Sequence, residues 1–227
     1  LRCLVGSEMC IRDRLEPADI LRLEVVSMDM WGPYISEVED NVYNAEKKIC
    51  FDKFHVAKHL GDAVDKVRRE EQREQLAGGE RALVKTKYQW LRNPENMAED
   101  QTEFFERMKR VAVRTSRAWA IKEQAMCLWH YVSRGWARKA WNAWISWAKR
   151  SRLEPIKRVA ETIRSHLGGI INAIVLGATN AASESINARI QRVKRMACGF
   201  RNRERFRNAI YFHLGGLDLS PATHTRS

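Results

Sequence analysis

The sequence predicts a mainly α protein with a small parallel β pair near its start. Three observations carry that expectation. Two short apolar runs, residues 22–30 and 47–54, have the length and β-branched content of strands and are separated by one helical pattern. From residue 56 onward, helix-forming stretches broken by Gly and Pro run almost to the end. Six of the eight tryptophans (Trp119, Trp129, Trp136, Trp141, Trp144 and Trp147) fall within residues 115–150, the last three at i, i+3 spacing. That clustering reads as the interior of a helical region.

In chain order, the run LRLEVVSMDM at 21–30 reads as a strand ending at Asp29, and Trp31-Gly32-Pro33 breaks it. A helix beginning near Pro33, a residue suited to the first helical position, carries Tyr34, Ile35, Val38 and Val42 on one face and ends near Asn44. KKICFDKF at 47–54 is the second strand, with Asp52 and His55 at its end. Strand, helix, strand within so short a span implies a parallel pair. Side chains at the carboxyl ends of parallel strands are the usual place for a site, which puts Asp29 and Asp52 forward. The competing reading makes both carboxylates helix caps.

Further on, the pattern predicts helices over 56–77, 80–91, 98–113 and 155–166, with breaks at Gly78-Gly79, at 92–96 and at Gly168-Gly169. An apolar run follows at 170–176. Thr179 and Asn180 are capping residue types ahead of a helix over 181–196, and a second basic helix is expected over 202–214. On the helix over 181–196, Glu184, Asn187, Gln191 and Lys194 form a polar stripe beside an apolar one of Ile186, Ile190, Val193 and Ala197. Eight cations, Arg189, Arg192, Lys194, Arg195, Arg201, Arg203, Arg205 and Arg207, face one acid, Glu204. A carboxylate at the head of such a track suits a divalent cation beside phosphates. Periodicity by itself reads the same stretch as a solvated basic face.

The formal charge of +12 and the pI of about 9.8 favour a polyanionic partner. No apolar run is long enough to span a bilayer. Five scattered cysteines without a C-x-x-C pair point to neither a disulfide framework nor a zinc site, in keeping with a reducing cytoplasm. EMCIRD at 8–13 is similar to a translated sequencing adapter, so residues 1–14 are expected to be a leader with no part in the fold.

The order T-N-x-x-x-E-x-x-N-x-x-I-Q-x-x-K-R-x-A-x-G-F-R-N, from Thr179 to Asn202, resembles the C-terminal signature of bacterial insertion-sequence transposases of the ISL-three branch of the DDE superfamily. The resemblance extends through VSMDMWGPYI at 26–35, FDKFHVAKHLGDAVDKVRREE at 51–71, WLRNPEN at 90–96, AIKE at 120–123, WAKRSRLEP at 147–155 and GGLDLSP at 215–221. It implies a truncated ribonuclease H-like core, formed by 15–55 with 178–214, a helical insertion over 56–177 and a tail over 215–227.

By motif position, the resemblance makes Asp29 the second catalytic acid and Glu184 the third, both ligands of Mg2+ or Mn2+. Asp52, His55 and Asn187 would be supporting residues, and the eight cations nucleic-acid contacts. The family's first acid, its zinc-binding region and its helix-turn-helix region have no counterpart here. The expectation is therefore a C-terminal fragment of a DNA transposase, binding metal weakly and not turning over. Its parent would cut and join DNA phosphodiesters, with a homodimer as the expected assembly. Ser185 stands where the family usually has Gly.

Removal of the first strands would also leave the first strand here with an open apolar edge, an aggregation hazard. The other reading of the tryptophan cluster has one ring stacked on an unpaired base at a transposon end. The alternative to the enzyme is a non-catalytic basic helical nucleic-acid-binding module. A ribonuclease H-like junction nuclease would share the acids but not the paired G-F-R-N and D-x-F-H motifs.

Overall fold

The computed structural model describes residues 17–92, 95, 97–178 and 181–215, with side chains at 17, 19, 181–184 and 187 outside the description. The elements of the first compact unit are α1 (Pro17–Leu21), β1 (Val26–Met28), α2 (Gly32–Asn41), α3 (Ala45–Lys48), β2 (Ile49–Phe51), α4 (Lys53–Ala77), α5 (Lys87–Leu91), α6 (Glu99–Val111), α7 (Val113–Cys127), α8 (Arg134–Lys149), α9 (Glu154–Ser165) and α10 (Leu167–Leu176). A 3₁₀ turn, Leu128–His130, joins α7 to α8. The second unit contains α11 (Ala181–Met196) and α12 (Arg203–Leu214). The protein is therefore mainly α with one small parallel sheet, as its sequence predicts.

β1 pairs with β2 in parallel, with Val26 opposite Ile49, Ser27 opposite Cys50 and Met28 opposite Phe51. Both strands are shorter than the sequence suggests. Leu21 closes α1 instead of opening a strand, and residues 45–48 form a helical turn started by Asn44 in the left-handed region at φ 54°. At the other end, Asp52 leaves the sheet to begin α4. The apolar run of 21–30 is longer than the strand because Leu21 and Val25 are exposed and only Met28 is buried in the core.

α4 is the long element of the first unit. It buries Val56, Leu60, Ala63, Val64 and Val67 along one face and packs chiefly against α7 and α9. Its last turns bury polar groups with assigned partners: the Arg68 guanidinium donates to Asp65 and to the Leu83 carbonyl. Glu71 accepts from the backbone N–H groups of Arg114 (3.1 Å) and Thr115 (2.8 Å) and from the Thr115 hydroxyl (2.6 Å). A side chain of α4 thus caps the amino end of α7, where backbone donors lack partners within the helix.

The tryptophans divide. Trp90, Trp141 and Trp144 are buried, with Trp90–Phe105–Trp119 and Trp129–Trp141–Trp144 in edge-to-face contact, and the Trp144 indole donates to the Ile121 carbonyl at 2.9 Å. Trp136 and Trp147 remain exposed. The expected helix over 80–91 contracts to α5.

Gly168-Gly169, expected as a break, lies inside α10. The reason is contact. A Cβ on Gly169 would stand 2.5 Å from the Phe51 ring, so glycine lets α10 lie directly on β2. One turn on, Asn172 is 1% exposed; its amide donates to the carbonyls of Glu46 (2.9 Å) and Ile49 (2.8 Å) and accepts from the Arg134 guanidinium (2.7 Å).

Two expectations follow. Asn172→Leu leaves two carbonyls and a guanidinium without their partner and should cost about 2–4 kcal/mol in urea unfolding. Burial pushes the Cys50 thiol up to about 11, against a smaller opposing pull from the Arg134 guanidinium. The unfolded chain releases that proton more readily than the native one, so this contribution to stability is complete below pH 9 and is lost as pH rises towards 11. Alkylation of the native protein at pH 8, followed by peptide mapping, should modify exposed Cys127 and Cys198 while sparing Cys50.

Candidate functional site

The parallel pair brings together the carboxyl ends of β1 and β2. Asp29 follows Met28 and Asp52 follows Phe51, and those two strand residues are register partners. The two aspartates then diverge in environment. Asp52 is 7% exposed, and its Oδ1 accepts the Phe54 N–H at 2.8 Å, the N-cap bond of α4. The side chain of Asp29 is 49% exposed; its Oδ1 accepts the Met30 N–H at 2.7 Å and lies 3.5 Å from Nδ1 of His55. Among the described residues no hydrogen bond reaches the other Asp29 oxygen.

His55 sits in the first turn of α4, three residues after its cap, with Phe54 against it edge to face at 5.7 Å. The D-K-F-H sequence therefore resolves into separate jobs. Asp52 starts the helix, Phe54 lies largely exposed, and His55 turns back toward the end of the neighbouring strand. Helix spacing explains it, since positions 52 and 55 share one face and a histidine there reaches over the strand end.

A hard divalent cation prefers carboxylate oxygens. Asp29 offers one accessible oxygen of that kind, whereas Asp52 is committed to its cap. Among the described residues, no group of three or more His, Cys, Asp or Glu could hold a metal ion. Asp29 alone thus fits part of a magnesium site and does not constitute one.

Of the other sequence-derived site residues, Glu184 and Asn187 lie in the helical backbone of α11, with side chains outside the described residues. Thr179 and Asn180 also lie outside them. The remaining α11–α12 positions follow the pattern read from sequence. Ile190 and Val193 are buried, Ile186 is half-buried, and all eight cations are exposed. Ala197 departs from the apolar stripe and is exposed.

The G-F-R-N motif now has a local account. Gly199 takes φ +97° and donates to the Lys194 carbonyl at 2.9 Å, closing α11. Phe200 packs on Phe206 with ring centroids 5.0 Å apart. Asn202 caps α12, accepting from Glu204 (2.8 Å) and Arg205 (3.4 Å). Arg201 is the member of the motif left facing solvent without a structural bond among the described residues.

The chain matches the DDE_Tnp_ISL3 family, described as Transposase, over residues 9–210. It belongs to that transposase family. The transposase of insertion sequence IS1001 from Bordetella parapertussis is 27% identical over 86% of this chain and 48% of its own length. The transposase of IS1557 from Mycobacterium tuberculosis is 28% identical over 67% of this chain and 39% of its own. The chain therefore spans about half or less of the curated relatives it matches. No solved structure matches it. Among the described residues, no helix is long and apolar enough to cross a membrane.

Sequence reasoning missed Asn172 and Gly169, which hold α10 to the sheet that carries Asp29. It also left undecided which tryptophans face solvent. Only the azimuth of each residue on its helix separates the buried from the exposed ones.

The division of labour at 52–55 predicts distinct outcomes. Asp52→Ala should lower thermal stability by about 0.5–2 kcal/mol through loss of the cap. His55→Ala, whose partner Asp29 is half exposed, should change stability by less than about 1 kcal/mol. Calorimetric unfolding of both variants checks this.

Proposed function

We propose that this chain is the C-terminal part of a DNA transposase catalytic region with a ribonuclease H-like core, in which Asp29 and Glu184 supply carboxylates to Mg2+ or Mn2+. The observation that carries the reading is the contrast between the aspartates: the family-matched one at the end of β1 keeps an accessible oxygen, whereas its neighbour is used as a cap. A divalent ion held by such acids supplies activation of water or a 3'-hydroxyl and stabilisation of the leaving oxygen at a phosphodiester. His55 orients the Asp29 carboxylate from the first turn of α4. The exposed cations of α11 and α12 bind DNA phosphates, and Asn187 supports Glu184 on the same helix.

The family's first acid belongs to a strand with no counterpart in this sequence. With two of three carboxylates, metal binding is weak and strand cleavage by this chain is not expected. The intact parent would bind transposon ends and target DNA, and a homodimer is its expected assembly. The eight exposed cations by themselves would also support the second reading, a basic module that holds DNA without chemistry.

Manganese binding followed by the electron-spin signal of the free ion separates the two. The expected result is weak binding, reduced at least about 10-fold by either Asp29→Asn or Glu184→Gln, with little further loss in the double variant because both act on one ion. Both variants should bind duplex DNA as before. Unchanged manganese binding in the two variants, with DNA affinity intact, would leave only the binding module. Nicking of a supercoiled plasmid by this chain, abolished in Asp29→Asn, would contradict the expected inactivity.

A further inference from the structure

The face of α8 turned away from the core carries two exposed tryptophans. With 100° per residue, the buried positions Ala137, Trp141, Trp144, Ile145 and Ala148 form one stripe. Trp136, Ala140, Ala143 and Trp147 form a second stripe beside it, Trp136 being 62% and Trp147 40% exposed. The two tryptophans are eleven positions apart, about 16 Å along the helix axis at 1.5 Å per residue. Only alanines stand between them, so a ligand can lie close to the helix.

The charge on this segment has one sign. From Arg134 to Arg152 the sequence holds Arg134, Arg138, Lys139, Lys149, Arg150 and Arg152 and no carboxylate. Two of the six are occupied, Arg134 by Asn172 and Lys149 by Glu161 at 2.6 Å. Arg138, Lys139, Arg150 and Arg152 are exposed with no ion pair among the described residues. Lys139 and Arg150 fall on the same flank of the tryptophan stripe, and the Lys139 ammonium stands 5.2 Å from the Trp136 ring centroid. That contact covers one ring face and sets a cation where a phosphate would follow a base stacked on the other.

We propose that this face of α8 binds an unpaired nucleic-acid strand, stacking bases on Trp136 and Trp147 while Lys139 and Arg150 hold the intervening phosphates. The cationic flank favours a polyanion over a neutral or basic protein helix, whose side chains would leave Lys139 and Arg150 uncompensated. The ring faces select unpaired bases over a duplex, because bases in a duplex are already stacked on both sides. The alanines offer no hydrogen bonds to base edges, so the site holds a strand without reading its sequence. This interaction does not require the metal chemistry at Asp29 and Glu184.

The test uses the purified chain with a fluorescent oligothymidylate of about 15 nucleotides and a duplex of the same length, read by anisotropy at moderate salt. Trp136→Ala and Trp147→Ala should each weaken oligothymidylate binding about 10-fold, and Trp136→Phe should restore most of the loss. Duplex binding, carried by the other cations, should change less than about 2-fold. The same affinities should be found in EDTA, with no divalent ion present, which separates failure of this proposal from failure of the metal reading. Circular dichroism melts of the alanine variants, whose substituted side chains are exposed, should match the parent protein.

Three outcomes overturn the proposal. One is oligothymidylate binding unaffected by either alanine variant, and another is an equal loss for duplex and single strand. The third is conversion of a dimer to a monomer by these substitutions with strand affinity preserved, which would make the stripe a contact between two copies of the chain.

Discussion

The fold of the first unit depends on one buried amide. Asn172 projects from α10 to two backbone carbonyls, those of Glu46 and Ile49, where the chain passes from a short helix into a strand. A buried carbonyl left unpaired costs more than a typical hydrogen bond contributes, so the amide is a requirement of the turn and not an addition to it. Its oxygen takes the Arg134 guanidinium at the start of α8. One side chain therefore ties β2, α10 and α8 together, and Gly169 brings α10 close enough to allow it. Asp29 keeps its position because β1 has β2 beside it, and β2 is held from behind by α10.

This arrangement explains how a sheet of two three-residue strands persists. Such a pair has little stability of its own. Ile49, Cys50 and Phe51 are all buried, and the ring of Phe51 lies against the helix backbone at Gly169 and edge to face with His166 at 5.2 Å. The strands form a platform under the helices, and the carboxyl ends of that platform remain open enough for Asp29 to be half exposed.

Much of this was legible in the sequence where local signals and tertiary demands agree. The bounds of α11 follow from its uninterrupted helix formers, α12 begins at the Asn202 cap, and the parallel order of β1 and β2 follows from the connection length. The readings diverged where a distant contact overrides local propensity. Gly168-Gly169 reads as a break until the Phe51 ring is seen beside it. The stretch 21–30 reads as a strand because nothing local reveals that Leu21 closes a helix and Val25 faces solvent. Spacing alone does not separate the roles within the D-x-F-H motif, since the cap and the approach to Asp29 use different members of it. Asp29 was legible as an acid at a strand end, whereas the partner that leaves Asn172 buried lies more than a hundred positions away in the chain.

The carboxylate of Glu71 has a consequence for how this molecule can change. α6 and α7 are separated by Ala112 alone, and no side chain of their own caps the start of α7. The cap comes from α4, the same continuous 25-residue rod that Asp52 caps and whose first turn carries His55. The bundle and the β platform consequently share a spine, and a lineage exchanging one bundle for another would have to inherit the rod with it or rebuild the lost cap.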